Sequence, residues 1–255
     1  MNGKFLVIGA KKAGTTYVHE QLRTLSEIFV PPLKETHFLL PFDLERKKTL
    51  YGEFLEKQYN CESQYDKQFL KSYFLDNSTK SVEKYEEILS SGSNLFGECD
   101  PELMLLDKKW IQQLKESNFK IVCILRNPVD RFFSHVKMIT QADIDPNKVI
   151  ADKFGELKHQ IHHSLYHIVK NAWKSVYGED ILFVDQKELR VDRLTTINKI
   201  VSYISSGQLD NVYQDQIISH DINVGSPYSM HPDIKIQLES FFAKDLDFFH
   251  SLLKR

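Results

Sequence analysis

The stretch GAKKAGTT at residues 9–16 has the residue types of an anion-binding loop, and it lies between an apolar run at residues 5–8 and a helical pattern. Glycines let the backbone turn tightly, and free N–H groups at the start of a helix bind oxyanions. Gly9 and Gly14 have the glycine spacing of a Walker A loop, but Thr15 stands where that motif requires lysine. The stretch therefore predicts phosphate binding and disfavours a γ-phosphate-transferring NTPase. An ordinary glycine turn with surface lysines is the alternative.

A second motif, ILRNPVDRFFSH at residues 124–135, includes the end of another apolar run. Arg126 follows that predicted strand, and ligands of open α/β sheets bind beyond the carboxyl ends of the strands. Because Gly9 ends the first strand at the same edge, we expect Lys12 and Arg126 to face one ligand. Arg126 offers a planar guanidinium fork for a phosphate, and Ser134 adds a hydroxyl donor. An arginine after a strand is by itself more often a surface salt-bridge partner, so this prediction depends on both motifs.

Short apolar runs and helical patterns alternate along the chain. The runs at residues 5–8, 121–125 and 181–184 have the length and composition of strands buried on both faces of a parallel sheet. Weaker strand candidates lie at residues 73–75 and 95–98. Helices are predicted over residues 15–28, 81–91, 101–117, 128–141, 165–177, 192–205 and 232–253. This alternation predicts an α/β fold with a mostly parallel sheet.

The composition narrows the class of protein. The 255 residues, 42% of them hydrophobic, suit a single globular domain over residues 1–255. The formal net charge of −2 argues against general binding to nucleic acid. Three scattered cysteines, Cys61, Cys99 and Cys123, do not have the pattern of a disulfide framework, and the sequence has no apolar run long enough to predict a membrane span. We therefore expect a cytoplasmic protein, and the sequence does not indicate its oligomeric state.

Two segments of the sequence resemble known motifs. FLVIGAKKAGTTYVHEQL and KIVCILRNPVDRFFSHV resemble the 5′-phosphosulfate loop and the 3′-phosphate motif of the sulfotransferases that use 3′-phosphoadenosine 5′-phosphosulfate (PAPS). KETHF at residues 34–38, SLYH at residues 164–167, Trp173 and ILFVDQKEL resemble the carbohydrate branch, which includes the heparan sulfate enzymes, and bacterial members. The resemblance covers residues 4–205, and more weakly residues up to 253. It implies a P-loop NTPase-like three-layer fold with a central parallel sheet of four or five strands flanked by helices.

The resemblance implies transfer of a sulfuryl group from PAPS to a hydroxyl group, with adenosine 3′,5′-bisphosphate (PAP) as product and no metal. Lys12 is then expected to stabilise the leaving phosphate. The 3′-phosphate is expected to bind Arg126 and Ser134. The 5′-phosphate loop corresponds to Lys11, Lys12, Ala13, Gly14, Thr15 and Thr16.

The resemblance also places a general base in the segment KETHF. Glu35 is the leading candidate, because the carbohydrate enzymes place their catalytic glutamate two residues before the histidine of this segment. His37 is the alternative base, or a partner that orients the site. A solvated charge pair of Lys34 and Glu35 in a loop is the non-catalytic interpretation.

The sequence departs from the family pattern at two places. Cys99 stands where the carbohydrate branch often has lysine, so a cation near the sulfuryl group is missing and a polyanionic glycan acceptor is disfavoured. The family's Lys-Gly-Arg nucleotide loop is not evident, and Gly225 and Tyr228 are predicted to contact the nucleotide instead. The residues predicted to contact the acceptor are Glu98, Asp100, Ser164 and Tyr166, and residues 42–72 are expected to border its cleft.

The sequence leaves the acceptor open among carbohydrates, lipids, small metabolites and peptide tyrosine, and predicts no nucleic-acid partner. Two other functions compete: a P-loop nucleotide kinase or hydrolase, and a non-catalytic nucleotide-binding module. His159, His163 and His167 recur at every fourth position, with His162 adjacent. A metal site would need their imidazoles to converge with a carboxylate, so solvated or hydrogen-bonded histidines are the preferred interpretation.

Overall fold

Four parallel strands form the centre of the fold in the computed structural model, which describes residues 3–40, 64–75, 80–140, 144–209, 211–212, 214–220 and 227–253. The spatial order of the strands is β2-β1-β3-β4. Val7 lies opposite both Cys99 and Val122, and Leu125 lies opposite Asp185. The carboxyl ends of the strands therefore meet at one edge, which confirms the predicted α/β fold. The strands are β1 (Gly3–Val7), β2 (Leu95–Cys99), β3 (Phe119–Leu125) and β4 (Ile181–Asp185).

Helices flank the sheet and connect its strands. None of those in the described part of the chain has the length and apolar character needed to cross a membrane. The irregular helices are 3₁₀ segments at Pro101–Leu105, Phe154–Glu156 and Gln214–Gln216, and a π-helical segment at Val169–Lys174. The α-helices are α1 (Thr15–Arg23), α2 (Gln64–Leu75), α3 (Val82–Ser90), α4 (Lys108–Glu116), α5 (Pro128–Ile139), α6 (Pro146–Lys153), α7 (Lys158–His162), α8 (Ser175–Tyr177), α9 (Gln186–Val191), α10 (Arg193–Ser205), α11 (Pro232–Phe241) and α12 (Ala243–Leu253).

The start of α5 is specified locally, at the first residue of the helix predicted over residues 128–141. The Asn127 side chain accepts hydrogen bonds from the N–H groups of Val129 and Asp130. Pro128 occupies the first helical position, where a missing N–H group costs nothing. This cap fixes where the helix begins after β3, and it thereby sets the direction in which Ser134 projects.

The structure differs from the sequence prediction at residues 73–75, 101–117 and 232–253, among other places. Residues 73–75 lie in α2 rather than in a strand, because Phe69 and Tyr73 stack one turn apart, with ring centroids 5.5 Å apart, and bury one helix face. The region 101–117 is divided, since Asp100 caps a 3₁₀ turn before α4 begins. The region 232–253 is divided at Phe242 into α11 and α12.

Two hydrophobic clusters hold these elements together. The larger one surrounds the sheet, and β1 contributes Phe5, Leu6 and Val7 to it with no exposed surface. The smaller one lies between α5 and α11 around Phe132 and Leu238. Helix α12 contacts both clusters, because its Phe249 and Leu252 belong to the first and its Leu246 packs on the second.

Gly97 in β2 is required by the close approach of β1. A Cβ atom at this position would lie 2.1 Å from the Phe5 carbonyl oxygen and 2.7 Å from the Phe5 ring. We expect Gly97→Ala to lower the free energy of unfolding by roughly 2–3 kcal/mol, because the two strands must separate to admit the methyl group. Urea unfolding measures the change. Gly155→Ala is the matched control: a Cβ there has no atom within 4 Å, and equal destabilisation of both variants would contradict the prediction.

Candidate active site

A cavity of about 940 Å³ opens at the carboxyl edge of the sheet. The loop after β1, the segment after β3 with one face of α5, and the helices after β4 form its wall. Within the described residues, two acidic side chains line it, Glu35 and Asp130, against seven basic ones. The cavity is therefore a local anion-binding site in a chain whose net charge is −2. The basic residues are Lys11, Lys12, Lys34, Arg126, Lys137, Arg190 and Arg193.

The predicted phosphate loop lies at the floor of this cavity. Gly9 is needed there because a Cβ atom would lie 2.6 Å from the backbone N and O atoms of Ile124. Gly14 has a φ of 101° and begins α1 without a side-chain cap, so the first N–H groups of the helix remain available to a ligand. The predicted residues of this loop that line the cavity are Lys11, Lys12, Gly14, Thr15 and Thr16.

Ala13 departs from its predicted role in phosphate binding. Its side chain is fully buried, and its N–H group donates to the carbonyl of Ala10 at 3.0 Å. The N–H group is thus used within the loop. Ala13 shapes the turn and is not part of the cavity wall.

Arg126 joins the second predicted motif to the loop. Its Nη1 donates to the carbonyl of Lys12 at 3.3 Å, and both residues line the cavity. Burial first, and then the charges of Arg126 and Lys11, lower the pKa of Lys12. Ser134 lines the same cavity from α5, together with Phe133. The two motifs therefore meet as predicted, and the crowding of positive charge favours a bound anion.

A buried arginine that the sequence analysis missed supports the loop from below. Arg131 has no exposed surface, and its Nη1 donates to the carbonyl of Lys11 at 3.4 Å. Its Nε donates to the Ser164 hydroxyl at 2.6 Å, and that hydroxyl donates to the carbonyl of Pro128. Burial lowers the pKa of Arg131 to about 10, so the guanidinium keeps its charge at neutral pH. The signal in the sequence was its place in the first turn of α5, five residues after Arg126.

Ser164 and Tyr166, predicted to contact the acceptor, have structural positions instead. Both are fully buried, and neither lines the cavity. Ser164 anchors Arg131, while the Tyr166 hydroxyl donates to the carbonyl of Arg126 at 2.6 Å. They hold the two basic residues in place, so the predicted acceptor contact is corrected to a supporting role.

The segment at residues 34–38 is tied to the end of β2 by two buried carboxylates. The Thr36 N–H and hydroxyl donate to Glu98 at 3.1 and 3.0 Å. Asp100 Oδ2 accepts from the His37 N–H at 3.1 Å and lies 2.8 Å from His37 Nδ1. Because Glu98 and Asp100 are buried and lie outside the cavity wall, the prediction that they bind the acceptor is also corrected.

Three of the candidate residues have a strained backbone. Lys12, Glu35 and His37 have φ values of 70°, 62° and 53°. The left-handed conformation costs roughly 1–2 kcal/mol for a residue with a side chain. Such residues persist where the surrounding structure fixes them, and they cluster at functional sites. The strain therefore coincides with the positions at which the sequence predicts catalysis.

Glu35 and His37 have different environments. Glu35 lines the cavity and pairs with the ammonium group of Lys34. His37 is buried outside the cavity wall. Burial acts to lower the pKa of His37, but the hydrogen bond and the charge of Asp100 outweigh it, so that the pKa is raised. The geometry favours Glu35 as the group that meets a substrate.

Lys34 lines the cavity and lies near Cys99. Cys99 is the residue that stands where the carbohydrate branch often has lysine. Cys99 is fully buried, and burial raises the pKa of its thiol. Burial also lowers the pKa of Lys34 to about 8, although the negative charge of Asp100 acts in the opposite direction. A lysine on a neighbouring segment thus lies beside the position where the sequence predicts a missing charge.

The remaining wall contains residues that the sequence analysis partly missed. Tyr228, which the sequence predicts to contact the nucleotide, lines the cavity, and its carbonyl accepts from Lys137 Nζ at 3.0 Å. Gly225 and most of the region 42–72 lie outside the described residues. Arg190 and Arg193 follow β4 and line the cavity at the same edge of the sheet. The sequence could have indicated them, because they are basic residues that follow the third apolar run.

The parallel sheet, the glycine loop before α1 and the basic cavity at the strand ends define an α/β protein of the P-loop-like class that binds a phosphate-bearing ligand. A family model described as "Sulfotransferase family" matches residues 5–206. The chain therefore belongs to the sulfotransferase family, and it is an enzyme that transfers a sulfuryl group from PAPS. This confirms the resemblance seen in the sequence and disfavours the kinase alternative.

Solved structures agree on the fold. A sulfotransferase from Alicyclobacillus acidocaldarius is 19% identical with a TM-score of 0.65, covering 100% of this chain and 97% of its own. The sulfotransferase domain from the curacin biosynthetic pathway is 12% identical with a TM-score of 0.54, covering 95% of this chain and 97% of its own. Among curated proteins, no significant match to this sequence is found.

Proposed function

We propose that the cavity holds PAPS with its 5′-phosphosulfate on the loop at residues 9–16 and its 3′-phosphate on Arg126 and Ser134. One observation carries this assignment: Arg126 contacts the loop through the carbonyl of Lys12, so two anion-binding groups share one cavity. A ligand with phosphates on both sides of a ribose matches that arrangement. The helix start at Gly14 supplies N–H groups, and the arginine supplies a planar fork.

Lys12 and Glu35 supply the chemistry of transfer in this proposal. In the reaction the sulfur–oxygen bond to the phosphate breaks, a bond to the acceptor oxygen forms, and the acceptor hydroxyl loses a proton. Lys12 stabilises the charge that the leaving phosphate oxygen gains, and Glu35 accepts the proton. His37 orients the segment through Asp100. The protein cations provide the charge stabilisation that magnesium provides to kinases.

Lys34 is proposed as the second cation at the transfer site. It lines the cavity beside Glu35 and takes the place of the lysine that Cys99 replaces. With this charge present, the argument against an anionic acceptor no longer holds. The proposed acceptor is a small molecule or glycan that presents a hydroxyl group to Glu35.

We further propose that residues 1–255 act as one sulfotransferase domain in a reducing compartment, the cytoplasm. The cavity wall draws on residues from Lys11 to Met230, and α12 joins both hydrophobic clusters, which supports a single unit. Cys99 and Cys123 are buried free thiols, which suits a reducing environment.

Binding of PAP tests the donor site. We expect tight binding of PAP and weaker binding of 5′-AMP and ATP–Mg²⁺ in calorimetric titrations. Arg126→Ala should weaken PAP binding roughly 10- to 100-fold, because a buried charged hydrogen-bond donor is lost, and Lys12→Ala should weaken it as well. Lys235→Ala, which removes an exposed lysine paired with Glu239, is the control. Equal affinity for 5′-AMP, or preferred binding of ATP–Mg²⁺, would contradict the assignment of Arg126 and Ser134.

Turnover of Glu35→Gln tests the base. With an acceptor found by screening hydroxylated compounds against sulfur-labelled PAPS, we expect kcat to fall by roughly 10²- to 10⁴-fold. The Kd of PAP should stay unchanged, because the amide keeps the shape of the side chain. His37→Gln serves as the comparison and should lower kcat less. A larger loss in His37→Gln would transfer the base role to His37, and loss of PAP binding in Glu35→Gln would contradict a role confined to transfer.

The pH dependence of kcat tests Lys34. Its pKa is lowered to about 8, so the ammonium loses its proton as the pH rises through that value. We expect kcat to fall above about pH 8, and we expect Lys34→Arg to move this decline to higher pH because a guanidinium stays charged there. Lys187→Arg, an exposed lysine outside the cavity, is the control. An unchanged profile in Lys34→Arg would show that Lys34 supplies no essential charge.

A further inference from the structure

A second group of polar side chains lies behind the phosphate loop, outside the cavity wall. Glu102 Oε2 lies 3.0 Å from His163 Nε2, and Glu102 Oε1 lies 3.6 Å from His159 Nε2. The two imidazole rings have centroids 5.0 Å apart. One nitrogen from each histidine and one carboxylate oxygen all lie within 4.8 Å of one another. The structure thus brings two of the three regularly spaced histidines to a carboxylate, while His167 pairs with Asp245.

The two histidines of this cluster differ in how far they are exposed. His163 is fully buried, and its Nδ1 has no hydrogen-bond partner among the described residues. Its Nε2 faces Glu102, and this is the polar contact that the ring makes within the described part of the chain. Nε2 is the nitrogen that an ion beside Glu102 would take, so the ring is already oriented toward the cluster. The His159 side chain is 52% exposed, which gives an ion a route from solvent.

The groups around the cluster define its chemistry. Lys11 Nζ pairs with Glu102 Oε1. The His135 ring lies 5.7 Å from His159 and 6.1 Å from His163. Its Nδ1 lies 3.1 Å from Arg131 Nη1, which can only donate, so this nitrogen is engaged as an acceptor. Two imidazoles and one carboxylate remain, and this donor set binds Zn²⁺ in proteins, with a further position left to water.

We propose that Glu102, His159 and His163 bind Zn²⁺, and that the ion displaces the ammonium of Lys11 from Glu102. Both cations need the same carboxylate, and Lys11 reaches it from the phosphate loop. Once displaced, Lys11 no longer shares its charge with Glu102 and adds that charge to the cavity that it lines. Zinc binding and anion binding in the cavity are then positively coupled, and each tightens the other by the same factor. This coupling rests on the proposed donor site, whereas the metal site itself does not.

Titration of the chelator-treated protein with Co²⁺ tests the site directly. Co²⁺ takes the place of zinc and gives visible absorption in four- or five-coordinate sites. We expect one equivalent to bind, and we expect His159→Gln and Glu102→Gln to abolish this signal. His167→Gln is the matched control, because this histidine lies on the same stretch but pairs with Asp245. His159 is half exposed, so its variant should unfold at the same temperature as the parent without metal. Absent binding, or equal binding in His159→Gln, would overturn the proposal.

A second experiment tests the competition with Lys11. Lys11→Met should bind Zn²⁺ severalfold more tightly than the parent, since no ammonium competes for Glu102. In the parent, saturating Zn²⁺ should tighten PAP binding severalfold, and in Lys11→Met that coupling should vanish. Unchanged zinc affinity in Lys11→Met would overturn the displacement of Lys11. If PAP does not bind in any condition, the proposed donor site fails, while the Co²⁺ titration still decides the metal site.

Discussion

The site depends on two buried carboxylates at the end of β2. Burial of Glu98 and Asp100 is costly unless each is hydrogen-bonded, and the segment at residues 36–37 supplies those donors. The bonds also hold Glu35 and His37 in left-handed conformations that an unconstrained chain would leave. The carboxylates and the strained segment therefore stabilise each other. Their combined effect is that Glu35 lies at the cavity.

A buried cation in α5, the helix after β3, performs the same task for the phosphate loop. Arg131 is held by Ser164 and reaches the carbonyl of Lys11, while Tyr166 holds Arg126. The loop at residues 9–16 is thus positioned by groups that never meet a ligand. This explains how three positive charges, on Lys11, Lys12 and Arg126, remain close together at the carboxyl edge of the strands.

The sequence predicts the residues that line the proposed donor site better than the buried residues that position them. Motifs at strand ends predict Lys12, Arg126 and Ser134, the family resemblance implies Glu35, and the structure places these four residues at one cavity. Glu98, Asp100, Ser164 and Tyr166 were misassigned to the acceptor. Their partners are 30 to 60 or more residues away in the chain, so neither burial nor bonding could be read from local pattern. The strand expected at residues 73–75 failed likewise, because stacking of Tyr73 on Phe69 favours a helix.

Cys99 shows how a departure from a family pattern can be compensated in three dimensions. Judged by its position alone, the cysteine removes a positive charge from the transfer site. In the fold, Lys34 lies beside it, in a segment held by the carboxylates on either side of Cys99. In the proposed site the positive charge therefore comes from Lys34, on a different segment from the residue that Cys99 replaces. The absence of a motif lysine from the sequence therefore does not show that the site lacks its charge. The charge at the site depends on which side chains the fold brings to the cavity, including those from other segments.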